Sequence, residues 1–499
     1  MDVKGLTRTE TILAVLFVVA LIAAGVGWTQ TGQRVTETVT TTVGGAGQTV
    51  TVTQPVTTTQ VLTSTVTVER LIAPGTVKIA VVSDIGGRGD LSFNDMAFKG
   101  GDEAERDFGV EMVELISKTE ADYVPNLETA ARDPSVRLIV GVGFLLSEAL
   151  LEVAQKYPDK NFAGIDTFTQ FLAVQQLGKP LPNMIDIVYE EHKGSAAVGA
   201  LGCLVAAYYN EGGGNYPYIG GVFGIEIPVL WKFEIGYKWG CDWGLKWYEQ
   251  RFGKRAPIIG EDGRYGSGAD WRDGLYCPAG GQCWYKGRVL WTYTGTFSDI
   301  TKGYAAAKPM FEQGAIAVYN IAGPLGLGIN QAVQEIATER RLENGPPFWI
   351  GVDANQDWIN PGFIIASMMK RVDRGVYYAT LLTVIGKFRD VAAESNGVLT
   401  LGIGTRVGRL SMEGISVSTL ADLDEFIQMG IDAEKMTGKK VLPMPPEQIR
   451  EKVTEMRDRL PTWVWDALTE LESKIRSGQV EVPMVLTKDE VDRWRELLG

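Results

Sequence analysis

The sequence predicts an α/β protein made of two doubly wound lobes joined by a hinge, preceded by an N-terminal membrane helix. Three observations carry that expectation. From Thr76 onward, short β-branched runs alternate with amphipathic stretches, the pattern of parallel sheets covered by helices on both faces. The alternation comes in two series of about five strands each, and 499 residues accommodate two or three domains at about 150 residues apiece. Residues 11–27 form an uncharged apolar run long enough, at its short end, to span a bilayer.

Lys4 and Arg8 precede that run, so the N-terminus is expected inside and the rest of the chain outside. Residues 1–28 read as the anchor. Lys4-Gly5-Leu6, with Glu10 ahead of the apolar core, also resembles the class III, prepilin-like signal of some archaeal surface receptors. That resemblance implies cleavage after Gly5 and retention of the helix for anchoring or for assembly with other surface subunits. The plainer alternative is an uncleaved anchor. Residues 29–75 form a stalk rich in Thr, Val, Gly and Gln, which favours extended backbone but lacks the large apolar residues of a core. It reads as a spacer, bare or carrying O-linked glycans.

The first lobe is assigned residues 76–190 with about 370–398, on strands Val77–Ser83, Val110–Ile116, Val136–Val142, Asn161–Ile165 and Met184–Tyr189. Helices are expected over Asp95–Phe108 and over Ser147–Lys156, which stops before Pro158. The second lobe takes residues 191–369 with about 399–499, on strands Tyr218–Phe223, Arg288–Thr294, Ala315–Ile321, Phe348–Val352 and Gly362–Met368. Its helices are Lys232–Arg251, Tyr304–Gln313 and Ile329–Arg340. Residues 253–287 and about 420–458 read as insertions, and Pro446–Leu460 as a charged, solvated amphipathic helix. In such sheets the ligand lies at the carboxyl ends of the strands, here in a cleft between lobes that hinge closure can bury.

Composition narrows the chemistry. A net charge of −13, from 48 basic against 61 acidic residues, argues against nucleic-acid binding. One histidine, His192, excludes His-rich metal sites, and any Ser-His-Asp or Cys-His apparatus would run through it. It reads as structural or solvated. No metal or cofactor is expected. The four cysteines include no CxxC pair. Cys277 and Cys283 flank a Gly-rich turn and are a disulfide candidate in an extracellular chain, with two free thiols as the alternative. Cys203 and Cys241 sit on apolar helical patterns and read as buried thiols.

After the first strand comes Ser83-Asp84-Ile85-Gly86-Gly87-Arg88-Gly89-Asp90-Leu91-Ser92-Phe93-Asn94-Asp95. The glycines make a permissive loop, and Ser92, Asn94 and Asp95 place polar groups at the mouth of the sheet. Capping the next helix is the plainer role for Asp95. No GK[ST] follows, so this is not a P-loop.

This loop, running on to Phe98 and Gly100, resembles the signature of the basic membrane protein family, the solute-binding lipoproteins that include the purine nucleoside receptors of ABC transporters. Further segments agree in order: Val142-Gly143-Phe144, Phe162–Asp166, Gly220–Gly224 with Ile227–Tyr237, Ala322–Gly328, Gly351–Gln356, Ser367–Lys370 and Ile475–Pro483. The resemblance covers about 76–410 and 460–483. It implies the type I periplasmic-binding-protein fold and a non-enzymatic receptor that delivers a nucleoside, with purine leading, to ABC permease subunits.

The resemblance also implies the site. Phe98 and Phe233 would sandwich a base, Asp353 and Lys370 would bind the ribose as a pair, and Asn94 and Asp166 would touch the base. Gly326, in a loop before a helix, would let backbone N–H groups approach. Asp84, Ser92, Phe93, Asp95 and Phe144 complete the ligand-binding candidates. For each Phe the alternative is core packing, and for Asp353 and Lys370 a structural ion pair. Leu91 and Leu325 depart from the family's usual Lys and Thr. A receptor for a sugar or peptide, and a nucleoside hydrolase, are the competing readings. The hydrolase would need a positioned acid–base pair or metal carboxylates, for which only Asp353 to Asp357 offers material.

Overall fold

The computed structural model describes residues 48–56, 60–68, 77–257, 271–272, 275–278, 281–407 and 410–499. The anchor and the Gly5, Leu6 and Glu10 signal lie outside the described residues. Among the described residues no helix is long and apolar enough to cross a membrane. Within the Thr-rich tract, Gln48–Val56 and Gln60–Val68 pair antiparallel, Gln48 opposite Val68.

Two six-stranded sheets form the body. The first has spatial order Val398–Leu401, Met184–Tyr189, Asn161–Ile165, Val136–Val142, Lys78–Val82, Glu111–Leu115, and all its pairings are parallel. The second runs Val289–Tyr293, Tyr218–Phe223, Ala315–Ile321, Phe348–Asp353, Ile364–Lys370, Ile415–Val417. Only its last pairing is antiparallel. Both faces of each sheet are covered, so central strands are apolar along their length: every residue of Ala315–Ile321 is buried. The chain crosses between lobes near Glu190, near Arg371 and between Leu401 and Ile415. The first-lobe sheet thus keeps the chain through Leu401, a few residues past the expected return at about 398, because Val398–Leu401 pairs with Asp186–Tyr189.

Three second-lobe helices begin earlier than the hydrophobic period suggests. The second-lobe helix expected from Lys232 begins at Pro228, since proline's fixed φ suits a first turn. The helix expected from Tyr304 begins at Ile300, where the Asp299 side chain accepts from Lys302 N. The helix expected from Ile329 begins at Leu325.

Helices Glu191–Glu211 and Pro228–Phe252 pack closely enough to fix the second lobe's inner wall. Gly236, Gly240 and Gly244 recur every fourth residue and so lie on one helix face. A Cβ on Gly236 would strike the His192 backbone, and one on Gly240 the Ala196 backbone. The same approach brings Cys203 and Cys241 to a Cα separation of 5.2 Å, and they form a disulfide. The expectation of buried thiols is thereby corrected: both are buried, but close helix packing pairs them. Cys277 and Cys283 are also disulfide-bonded. The helix Pro446–Asp458 is amphipathic, but Ile449, Val453 and Met456 are buried, and it is a packed element of the lobe.

Candidate functional site

The carboxyl ends of both sheets face one cleft, which encloses about 680 Å3 of non-protein space, part of it open to solvent. The first lobe contributes Asp84, Gly86, Asp90, Phe93 and Asn94 from the loop after Lys78–Val82, then Gly143 to Leu145, then Asp166. The second contributes Ile227, Val229, Leu230 and Phe233, then Phe297, Ala322 to Pro324, Asp353 and Lys370. A cavity with apolar walls and a few convergent polar groups is the usual form of a small-solute site.

In the first-lobe loop, Asp90 is the organising group. Its Oδ1 accepts from Ser92 N at 3.0 Å and Asp95 N at 3.1 Å, and its Oδ2 from Asn94 N at 2.9 Å and Asn94 Nδ2 at 3.1 Å. These bonds cap the helix Phe93–Phe108. Asp95 folds back instead, accepting from Gly89 N at 2.8 Å and Leu91 N at 2.9 Å. Asn94 Nδ2 also donates to Asp84 Oδ1 at 2.8 Å, which leaves Asp84 Oδ2 beside Gly143. Burial pushes the carboxyl groups of Asp84 and Asp90 above the usual range, and the Asp95 charge adds to the effect on Asp90.

At the hinge lies a buried charge cluster. Lys370 Nζ pairs with Asp166 Oδ2 and, at 2.8 Å, with Glu191 Oε1. The other Glu191 oxygen pairs with Lys232, whose Nζ also donates to Tyr189 O at 2.8 Å. The rings of Phe93, Tyr189 and Phe233 surround the Lys370 ammonium at 5.2–5.4 Å. Burial acts against the Lys370 cation, but Asp166, Glu191 and Asp353 outweigh it and raise its pKa. For Glu191 burial acts upward, yet Lys232 and Lys370 hold the carboxyl low, at about 2. Burial raises Asp166, partly offset by Lys370, and raises Asp353 to about 6. Asp166 has φ 58° and Asp353 φ 65°, left-handed backbone that turns each side chain at a strand's end into the cleft.

Eight of the expected residues line this cleft: Asp84, Phe93, Asn94, Phe144, Asp166, Phe233, Asp353 and Lys370. Four do not. Ser92 bridges the lobes, its Oγ donating to Asp353 Oδ2 at 2.7 Å. Asp95 shapes the loop. Phe98 is buried in the core cluster, 1% exposed, with the Arg88 guanidinium over its ring at 4.9 Å. It lies outside the cleft, away from a sandwiching position. Gly326 falls within the first helical turn after Pro324, and its missing Cβ makes room for Asn320, leaving Gly323 as the glycine of the cleft loop. Asp353 and Lys370 are not direct partners: Lys370 takes Asp166 and Glu191, and Asp353 takes Ser92. His192 is buried rather than solvated, and burial, with Lys232 adding to it, pushes its pKa down to about 3.

The sequence did not single out Asp90, Glu191, Lys232 or Phe297. Asp90 carried a signal, an Asp two residues before Ser92 at a loop end, the pattern of a side chain bonding its own backbone. Glu191 carried none, since its charged neighbourhood reads as a solvated run.

Two α/β lobes crossed three times by the chain, with an apolar-walled cleft and a few convergent polar groups at the strands' carboxyl ends, define a two-lobed solute-binding protein. Residues 76–242 and 286–423 match the family model described as ABC transporter substrate-binding protein, PnrA-like (Bmp), and the chain belongs to that family. It is 34% identical over 418 residues to a Pyrococcus abyssi protein named an uncharacterized lipoprotein, spanning 84% of this chain and 86% of that one. It is 24% identical to the ABC transporter nucleoside-binding protein BmpA of Lactococcus lactis over 325 residues, covering 62% of this chain and 76% of that one. Its fold is similar to an ABC transporter solute-binding protein from Aeropyrum pernix K1, with TM-score 0.65 and 30% identity over 84% of this chain and 96% of that one.

Proposed function

We propose that this protein is a non-enzymatic receptor that captures a nucleoside, with purine leading, in the interlobe cleft and presents it to an ABC permease. The observation that carries the reading is the meeting of Phe93 and Phe233 with Asp166, Asp353 and Lys370 in one cavity. The aromatic faces offer a stacking surface for a base, each stack contributing about 1–3 kcal/mol. Asp353 accepts hydrogen bonds from vicinal ribose hydroxyls, and Lys370 donates to a hydroxyl oxygen. Asp84 Oδ2, which Asn94 leaves free, presents an acceptor to a base edge. The relative named as nucleoside-binding supports the ligand class. The relatives named as lipoproteins support a place at the cell surface, which for this chain would be secured by the apolar run 11–27.

Calorimetric titration with adenosine, guanosine and inosine, beside a panel of sugars, tests the ligand class. Tight binding of a purine nucleoside is expected. Binding of a sugar with no response to any nucleoside would move the protein to another ligand class.

A further inference from the structure

Residues 424–499 lie beyond the segment that matches the family model. Two helices there, Leu423–Thr437 and Pro446–Asp458, touch the loop that carries Asp353, the first through Gly430 against Trp358 and the second through Arg457 on Asp357. That loop, residues 353–358, is buried throughout. Its Asp357 is held from three sides. Arg457 Nη2 donates to Oδ2 at 2.6 Å, Ser418 Oγ donates to the same oxygen at 3.0 Å, and Ser367 Oγ donates to Oδ1 at 2.7 Å. Arg457 Nη2 also donates to Ser418 O at 3.0 Å. Farther along, the Trp358 ring fills the space a Cβ on Gly430 would need.

The opposite side of the same loop meets the first lobe. Gln356 Nε2 donates to Leu91 O at 3.0 Å, and Ser92 donates to Asp353. The added helices reach the first lobe too. Glu425 pairs with Lys99 at 2.6 Å, and Lys99 in turn pairs with Asp373 at 3.1 Å and with Glu103. Arg371, at the second crossing, lies 3.7 Å from Glu425. Neither Arg457 nor Glu425 lines the ligand cavity.

We propose that Arg457 and Glu425 are positioning residues of the cleft. Arg457 fixes the Asp353 loop through Asp357, and Glu425 ties that assembly to the first lobe through Lys99. Helices 423–458 therefore brace the closed arrangement. The Asp357 carboxylate is fully buried, so removing its cation leaves an uncompensated charge, and the loop relaxes away from the geometry in which Asp353 meets Ser92. Displacement on the order of 1 Å is enough to degrade a site. The Lys99–Glu425 pair is half-exposed and contributes a smaller restraint. The inference uses the nucleoside reading only for its ligand readout.

The test uses the full chain with Arg457→Met, Arg457→Lys and Glu425→Gln. Guanosine association and dissociation rates are measured by stopped flow. In parallel, nitroxide labels at Lys179→Cys and Glu339→Cys, exposed positions on the two lobes, report the interlobe distance by pulsed electron resonance. Arg457→Met is expected to speed guanosine dissociation at least threefold, and Glu425→Gln about twofold, with association unchanged. Both should add longer distances to the unliganded distribution, and Arg457→Lys should recover most of the change. A lower melting temperature with parent-like dissociation and distances would make Arg457 merely structural and overturn the proposal. If the parent chain binds no nucleoside, the nucleoside reading falls. The distance distributions then decide alone: broadening in both variants upholds the brace, and parent-like distributions refute it.

Discussion

Replacing Lys370 by Met tests the hinge cluster most directly, because its effect depends on pH in a calculable way. Met keeps most of the aliphatic stem but removes the charge that faces Asp166 and Glu191. Glu191 retains Lys232, so Asp166 is the carboxylate left without a partner. Stripping one member from a buried pair costs about 3–5 kcal/mol. The variant has an escape, since Asp166 can take up a proton. Protonating a carboxyl whose unfolded pKa is about 3.9 costs about 1.5 kcal/mol at pH 5 and about 5.6 kcal/mol at pH 8, at 1.36 kcal/mol per pH unit. The penalty is therefore capped near 1.5 kcal/mol at pH 5 and reaches the full 3–5 kcal/mol at pH 8. The sign agrees with linkage: a carboxyl raised above its unfolded value favours folding at low pH, and that advantage is lost as pH rises through the folded pKa. Calorimetric unfolding of parent and variant at pH 5 and pH 8 should show a stability gap about 1.5–3.5 kcal/mol larger at pH 8, and adding Asp166→Asn should remove the difference. An equal gap at both pH values would refute the assignment of Asp166 as the stranded charge.

Burial raises Asp353 to about 6, and hydroxyl donors favour its ionised form, so nucleoside affinity should increase from pH 5 to pH 7; in Asp353→Asn titrations over that range the trend should flatten. Asp353→Ala should weaken binding at least tenfold, about 1.4 kcal/mol, and unchanged affinity would remove Asp353 from the site. Phe233→Ala should lower affinity, whereas Phe98→Ala should lower stability by about 3–5 kcal/mol and leave the affinity of the remaining folded protein unchanged; calorimetry and titration of both variants separate the two roles. Cys203→Ala with Cys241→Ala opens a loop spanning a 38-residue separation and should cost about 4 kcal/mol on the chain-entropy estimate; alkylation of unreduced protein followed by mass spectrometry should find no free thiol at either position in the parent.

What the sequence could disclose follows from the physics of each feature. Parallel strands covered on both faces have no polar side to break the pattern, so runs such as Ala315–Ile321 and Val136–Val142 were legible, with ends correct to a residue or two. The cleft loop 83–95 was legible because Gly, Asp, Ser and Asn concentrate where backbone turns sharply at a sheet's mouth. The burial of Phe98 is not legible from its own helix. Ala97, Ala104 and Phe108 form one stripe, whereas Phe98 stands about 100° round the helix, on the side of the cleft residue Asn94, so its burial is decided by packing and not by the period. The Cys203–Cys241 bridge left no spacing signature, since it depends on two helices meeting along Gly236, Gly240 and Gly244. That fourfold repeat could have pointed to the close approach.

The charge cluster was the least legible part, and the reason lies in topology. Glu191, Lys232, Lys370 and Asp166 occupy four separate segments, and each belongs locally to an ordinary polar boundary between strand and helix. Only the crossings near Glu190 and Arg371 bring Glu191 and Lys370 together, while Lys232 arrives on a helix positioned by its glycine face. A pairing of Lys370 with Asp353 is the natural reading of two strand ends in one sheet. The structure sends Lys370 across the hinge and leaves Asp353 to the first-lobe Ser92. In this arrangement two of the acids that face the cavity, Asp166 and Asp353, depend on groups from the opposite lobe or the hinge. Ser92 and Gln356 never touch the cavity, yet their contacts across the lobes hold the Asp353 loop against the first lobe, so the site's geometry rests on residues outside its lining.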